Sequence, residues 1–188
     1  MTLCPLDGRY GKIKDQLADY FSEYALVKYR VFVEIQWLKF QLDHLHTETL
    51  DKVDPNKVDD ILAISKDFNF DSFKRIKEIE SVTRHDVKAV EYFIDEKLKA
   101  LGYEHLESYV HIGCTSEDIN NLSHALMLQT ARQDVVLPYW RKVIDAVKDL
   151  SVQYRDIPLN HDDKIIGIST CAEAGTNERV VLFVRLDK

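Results

Sequence analysis

The sequence predicts an all-α fold on three observations. Six glycines and four prolines in 188 residues leave few points at which a helix would be broken. Apolar residues recur three and four apart in segment after segment. The longest such run, Val136, Trp140, Val143, Val147, Leu150 and Tyr154, keeps a 4-3-4-3-4 spacing over about five turns, a seam for helix against helix. An amphipathic helix of that length buries nothing alone, so it belongs in a bundle, within the chain or between subunits.

Taken in order, the elements begin after a loop. In "LCPLDGRYGK", Asp7 and Gly8 form a turn that leaves Arg9 and Tyr10 projecting, and a guanidinium so placed can grip an oxyanion as a fork or simply be solvated. Val31, Ile35, Leu38, Leu42 and Leu45 then mark one face of a helix. "DPNKVDDILAISKDF" opens another, with Asp54 as N-cap and Pro55 at the first helical position. Phe70, Phe73, Ile76 and Ile79 supply the apolar face of "FDSFKRIKEIESV", and "HDVKAVEYFIDEKLKAL" stops at Gly102, a left-handed terminator. A helix follows "HIGCTSEDINN", with Ile119, Leu122 and Leu126 as its buried face. The chain contains no internal repeat and no low-complexity tract.

Composition narrows the function. Hydrophobic residues make up 45% of the chain, enough for the core of one domain, or of one domain plus an appendage. The net charge of −7, from 32 acidic and 25 basic residues with no basic block, argues against nucleic-acid and anionic-membrane partners. No apolar run approaches a membrane span, and the first residues lack the core of a signal peptide, so a cytoplasmic protein is expected. Cys4, Cys114 and Cys171 are far apart, with no CxxC and no zinc-type histidine spacing, and read as reduced thiols; no metal site is expected.

Two polar clusters stand where helices begin. Thr115 followed by Asp118 fits a capping box, in which a hydroxyl and a carboxylate satisfy backbone N–H groups reciprocally. A cap uses one hydroxyl, yet Thr115 and Ser116 stand together at a helix N-terminus whose free N–H groups and dipole attract anions. A substrate carboxylate suits that place. In "SVTRHDVKAVEYF", His85 and Asp86 stand at a second helix start, with Lys88 and Glu91 within about one turn. On the residues alone this is either a solvated helix start, with Asp86 favourably near the dipole, or a binding site.

In combination and in this order, "PLDGRY", "FSEY", "HDVKAVEYF", "TSEDINNLSHALML" and "VLPYWRKVIDAVKDLSVQYRDIPL" resemble the amino-terminal portion of the adenylosuccinate lyase family, in the fumarase and aspartase superfamily. The resemblance covers about residues 3–159. It implies an amino-terminal helical domain over residues 1–110, the start of a central helical bundle over 111–159, and a divergent tail over 160–188. It further implies a cofactor-free C–N lyase, a homotetramer whose active sites are built from several subunits. The reaction implied is release of fumarate from adenylosuccinate, giving AMP, and from the analogous succinyl carboxamide ribotide of purine synthesis. On the matching positions, Arg9 and Tyr10 would hold the substrate phosphate. Arg84, His85 and Asp86 would line the nucleotide site, and Thr115 and Ser116 would bind the succinyl group.

The sequence also departs from this pattern. The family segment "RTHGQP", with the general acid, and the loop "SSxMPxKxNP", with the general base, do not occur in the 188 residues. His161 lies in "LNHDDKII", which shares nothing with the acid segment, and receives no role; His85 is at most an auxiliary group. Arg84 stands where the family often has Asn. The expectation is therefore a truncated lyase chain that is inactive alone, with a helical interaction module derived from the lyase as the alternative. After Leu159 the β-branched runs "KIIGIST" and "RVVLFVRL" flank "EAGTNE", with Gly175 and Asn177 as turn residues, and the tail reads as a β-hairpin or as disordered chain.

Overall fold

A 22-residue helix, α2 (Glu23–His44), organises the amino-terminal part of the molecule. The computed structural model describes residues 8, 10–150, 158, 160, 162–171 and 179–186, which fall into two compact units, 1–143 and 144–188. Among them the remaining helices are α1 (Gly11–Phe21), α3 (Val58–Lys66), α4 (Phe70–Thr83), α5 (Asp86–Ala100), α6 (Ser116–Ala131) and α7 (Leu137–Leu150). The all-α expectation holds, the sheet being confined to one pair of strands in the tail.

Ser22 separates α1 from α2 and caps α2 by accepting the Ala25 N–H at 3.1 Å. One face of α2 carries Val27, Val31, Ile35 and Leu38 into a core completed by Ile61 of α3, Ile76 of α4, and Val90, Phe93, Ile94 and Leu98 of α5. Each large apolar side chain buried there contributes about 1.5–3 kcal/mol. Val33 packs into a second, smaller cluster with Val87 and Ile119. Helix α2 thus lies between α3–α5 and α6, which is why its buried residues are not confined to one stripe.

Several local expectations are met. Gly102, at φ 81°, ends α5 with a Schellman pair: Tyr103 N–H to Leu98 O at 2.8 Å and Gly102 N–H to Lys99 O at 3.0 Å. Asp54 caps the segment that opens with Pro55, but the first turn (Pro55–Lys57) is 3-10 and α3 starts only at Val58. Two expectations are corrected. Helix α2 ends at His44, and Leu45 is extended and exposed. On α6, Leu122 is exposed and Ser123 is buried, because the inward face steps by four through Ile119, Ser123, Met127 and Ala131.

A five-residue π segment (Arg132–Val136) links α6 to α7. The seam residues Val136, Trp140, Val143, Val147 and Leu150 are exposed, Trp140 at 61% and Leu150 at 83%; Tyr154 lies outside the described residues. In the second unit, β1 (Lys164–Cys171) and β2 (Arg179–Leu186) pair antiparallel from Lys164–Leu186 to Cys171–Arg179. Phe183 lies over Gly167, where a Cβ would come within 3.1 Å of its ring. The hairpin alternative for the tail is the one observed, although Gly175 and Asn177 lie outside the described residues.

Candidate functional site

The two polar clusters form the N-termini of α5 and α6, and their caps explain why the chain folds locally as it does. Arg84 closes α4 in the left-handed conformation, φ 56° and ψ 26°, which turns the chain sharply into α5. His85 is extended and caps α5, its Nδ1 accepting the Lys88 N–H at 3.1 Å. The ring therefore presents Nε2 outward from a half-exposed side chain. Asp86 accepts the Val87 N–H at 2.9 Å and pairs with Arg30 Nη2 at 2.7 Å. Partial burial pushes its carboxyl upward, but the Arg30 guanidinium and the Val87 N–H prevail and hold it below the usual value.

At α6 the capping box is complete. Asp118 accepts the Thr115 N–H at 2.7 Å, and Thr115 Oγ1 accepts the Asp118 N–H at 3.4 Å. The Thr115 hydroxyl also donates to Asp118 at 2.8 Å, and these bonds, the Thr115 N–H first, depress the Asp118 carboxyl below its usual value. Thr115 is thus committed to the cap. Ser116 Oγ, by contrast, makes no hydrogen bond among the described residues, and it stands beside the first N–H groups of the helix.

Arg30 unites the two helix starts. It projects from α2 with only 5% exposure, pairs through Nη2 with Asp86, and donates Nε–H to Asn120 Oδ1 at 2.9 Å. Asn120 lies one turn after Ser116, on the same face of α6. One buried guanidinium therefore fixes the start of α5 against the start of α6, and sequence reading missed it. The signal was present: Arg30, Glu34, Trp37 and Gln41 repeat at 4, 3 and 4 along α2, a polar stripe beside the apolar one.

Tyr10 stands at the start of α1. Tyr20 donates to Asp134 at 3.3 Å and Tyr139 donates to Gln16 at 2.6 Å, so α1 runs back alongside the far end of α6 and the start of α7. Tyr10, ahead of Gln16 on that path, is carried away from Ser116. Arg9 lies outside the described residues. A groove of about 530 Å³ between α4 and α5 is walled by Arg75, Glu78, Asp95, Glu96 and Glu107 among others, with Arg75 already tied to Glu96 and Glu78. Such acidic walls suit an anion poorly, and of the predicted site residues none lines it.

Among the described residues no group of three or more histidine, cysteine, aspartate or glutamate side chains is arranged to hold a metal ion, and no helix is long and apolar enough to cross a membrane. Comparison with known proteins matches a family model described as Lyase over residues 8–160. Adenylosuccinate lyase of Escherichia coli K12 is 51% identical over 159 residues, which is 84% of this chain and 35% of that protein. The adenylosuccinate lyases of Vibrio cholerae and Haemophilus influenzae are 48% and 46% identical, again over 84% of the chain and 35% of their own length. The chain thus spans about a third of the length of the curated relatives it matches. With a matching family model over most of its helical residues and relatives at this identity, the chain belongs to the lyase family and is similar to the adenylosuccinate lyases within it.

Proposed function

We propose that the chain carries part of the substrate-recognition surface of an adenylosuccinate lyase and binds substrate without turning it over by itself. The observation that supports this best is Arg30, which holds the His85–Asp86 start of α5 and the Thr115–Ser116 start of α6 in one frame. In this reading Ser116 Oγ and the free N–H groups at the start of α6 receive a succinyl carboxylate, and Thr115 serves that place by holding the cap. Arg84, His85 and Asp86 face the nucleotide, with His85 offering Nε2 as an auxiliary hydrogen-bonding group. Arg9 and Tyr10 reach the phosphate of a site completed by other subunits of a homotetramer in the cytoplasm.

The chemistry explains the demand for donors. A base takes the proton next to a carboxylate, the C–H pair becomes the double bond of fumarate, and the C–N pair leaves on the nitrogen. Negative charge builds on the carboxylate as the proton departs, and one preorganised donor there lowers the barrier by about 3 kcal/mol. Proton removal and protonation of the leaving nitrogen require a positioned base and acid, each worth roughly 100-fold or more. The segments that supply them in the family do not occur in these residues, and no cofactor is required by the chemistry.

The exposed seam on α7 favours a second reading, a helical interaction module without ligand-binding function. Incubating the purified chain with adenylosuccinate separates the possibilities. The proposal expects saturable binding with fumarate release at background. Release well above background would refute the non-catalytic part, and absence of binding at millimolar ligand would favour the module.

A further inference from the structure

Beside Arg30, the same stripe of α2 carries Glu34, Trp37 and Gln41, and all three reach the loop that leads into α6. Trp37 Nε1–H donates to the Ile112 carbonyl at 2.9 Å, and Gln41 Nε2–H donates to the Tyr109 carbonyl at 3.1 Å. Glu34 Oε1 lies 2.6 Å from His111 Nδ1. The Glu34 side chain is fully buried and that of His111 is 16% exposed. The loop needs holding. His111 is left-handed at φ 61°, Gly113 follows at φ 72°, and the reversal is closed by the Cys114 N–H to His111 carbonyl bond at 3.1 Å. A histidine in that conformation persists where its surroundings over-determine it.

Stability does not account for Glu34. Its second oxygen, Oε2, has no hydrogen-bond partner among the described residues. Burial raises the carboxyl above its usual value against the opposing pull of the His111 hydrogen bond, and Glu91 adds like charge from α5. Glu91 is in turn bound by Lys88 at 2.7 Å and faces His111 Nε2 at 3.9 Å. An apolar residue at position 34 would fill the same space at less cost.

We propose that Glu34 is a positioning residue that, by accepting a hydrogen bond from His111, holds residues 109–115 in the shape that presents Ser116 and the first N–H groups of α6 to a carboxylate ligand. The ligand half of this statement rests on the function proposed above; the positioning half does not. Glu34 acts on the loop and reaches the ligand only through it. With Glu34 accepting, His111 Nδ1 carries a proton, whereas the cap bond of His85, which accepts the Lys88 N–H, leaves its Nδ1 bare.

Imidazole nitrogen NMR on the 188-residue chain, with Glu34→Ala and Glu34→Gln, tests the proposal. In the wild type, His111 is expected to carry its proton on Nδ1 and His85 on Nε2. Glu34→Ala should remove the His111 Nδ1–H signature, displace the amide resonances of Gly113 to Ser116, and weaken adenylosuccinate binding at least about tenfold. Glu34→Gln keeps an acceptor and should restore all three. A bare Nδ1 on wild-type His111, or unmoved Gly113–Ser116 amides in a folded Glu34→Ala, would overturn the positioning role. If Glu34→Ala does not fold, Glu34→Gln decides alone: loss of the Nδ1–H signature with helices intact overturns the proposal, and its retention supports it. Wild-type chain with the expected tautomer but no response to adenylosuccinate would refute the ligand reading and leave the positioning role standing.

Discussion

At Arg84 a long cationic side chain sits on a left-handed backbone, φ 56°, between two helices. Asn adopts that conformation more readily than other non-glycine residues, because its short amide bonds locally, and Asn is what the resemblance expects at this position. Arg84 in this conformation costs conformational energy. Arg84→Asn should therefore stabilise the fold by about 0.5–1 kcal/mol, read as a higher urea midpoint with an unchanged slope; an unchanged or lower midpoint would contradict this. Asp95 shows a different strain. Burial, then the nearby Glu107 and Glu91 carboxylates, push it up to about 6 from an ordinary 3.8, and its Oδ1 lacks a hydrogen-bond partner among the described residues. Because the folded pKa is raised, the folded chain holds its proton longer than the unfolded one, and stability present below about pH 4 is lost as pH rises through about 6. Asp95→Asn should be more stable than wild type at pH 8 by something on the order of 1 kcal/mol after allowance for solvent screening, with the gap closing as pH falls towards 4. A pH-independent difference in melting would show that the charge of Asp95 is not the cause.

Helix ends were the most legible features of the sequence. Asp54, Gly102 and the Thr115–Asp118 pair each act within a few residues of chain, so their chemistry could be read where it stands. Arg30 and Glu34 act across 90 and 77 residues, on Asn120 and His111, and no local pattern names such partners. The apolar face of α2 was read correctly at Val31, Ile35 and Leu38 but taken as the whole of its burial, so the adjoining polar stripe went unnoticed. On α6 the three-and-four rule chose Leu122, whereas packing against α2 favoured the small Ser123. The tail was legible as a change of period: eight residue pairs form between two strands where the sequence turns to β-branched residues. Ile165, Ile166, Ile168, Leu182 and Phe183 of that hairpin are exposed. The hairpin is local in its pairing and should be separable from the helices. A chain ending at residue 159 should keep its helical circular dichroism signal per molecule; cooperative loss of that signal would show that the tail is integral to the helical fold.

For the molecule as a whole, one unit of packed helices presents two capped helix N-termini joined by a buried arginine, and an apolar seam on α7 faces outward. In the relatives, the matched region is about a third of each protein, and a site shared between subunits would explain why Tyr10 is carried away from Ser116 within a single chain. The proposed partial site is expected to bind weakly; a millimolar dissociation constant corresponds to about −4 kcal/mol. Amide NMR of the 188-residue chain during titration with adenylosuccinate reads the location of this site directly. Saturable shifts are expected, centred on Ser116 to Ile119 and on His85 to Lys88, smaller at Asp118 when Ser116 is replaced by Ala. Shifts confined to the groove around Arg75 and Glu96, or none at millimolar ligand in a folded chain, would contradict it.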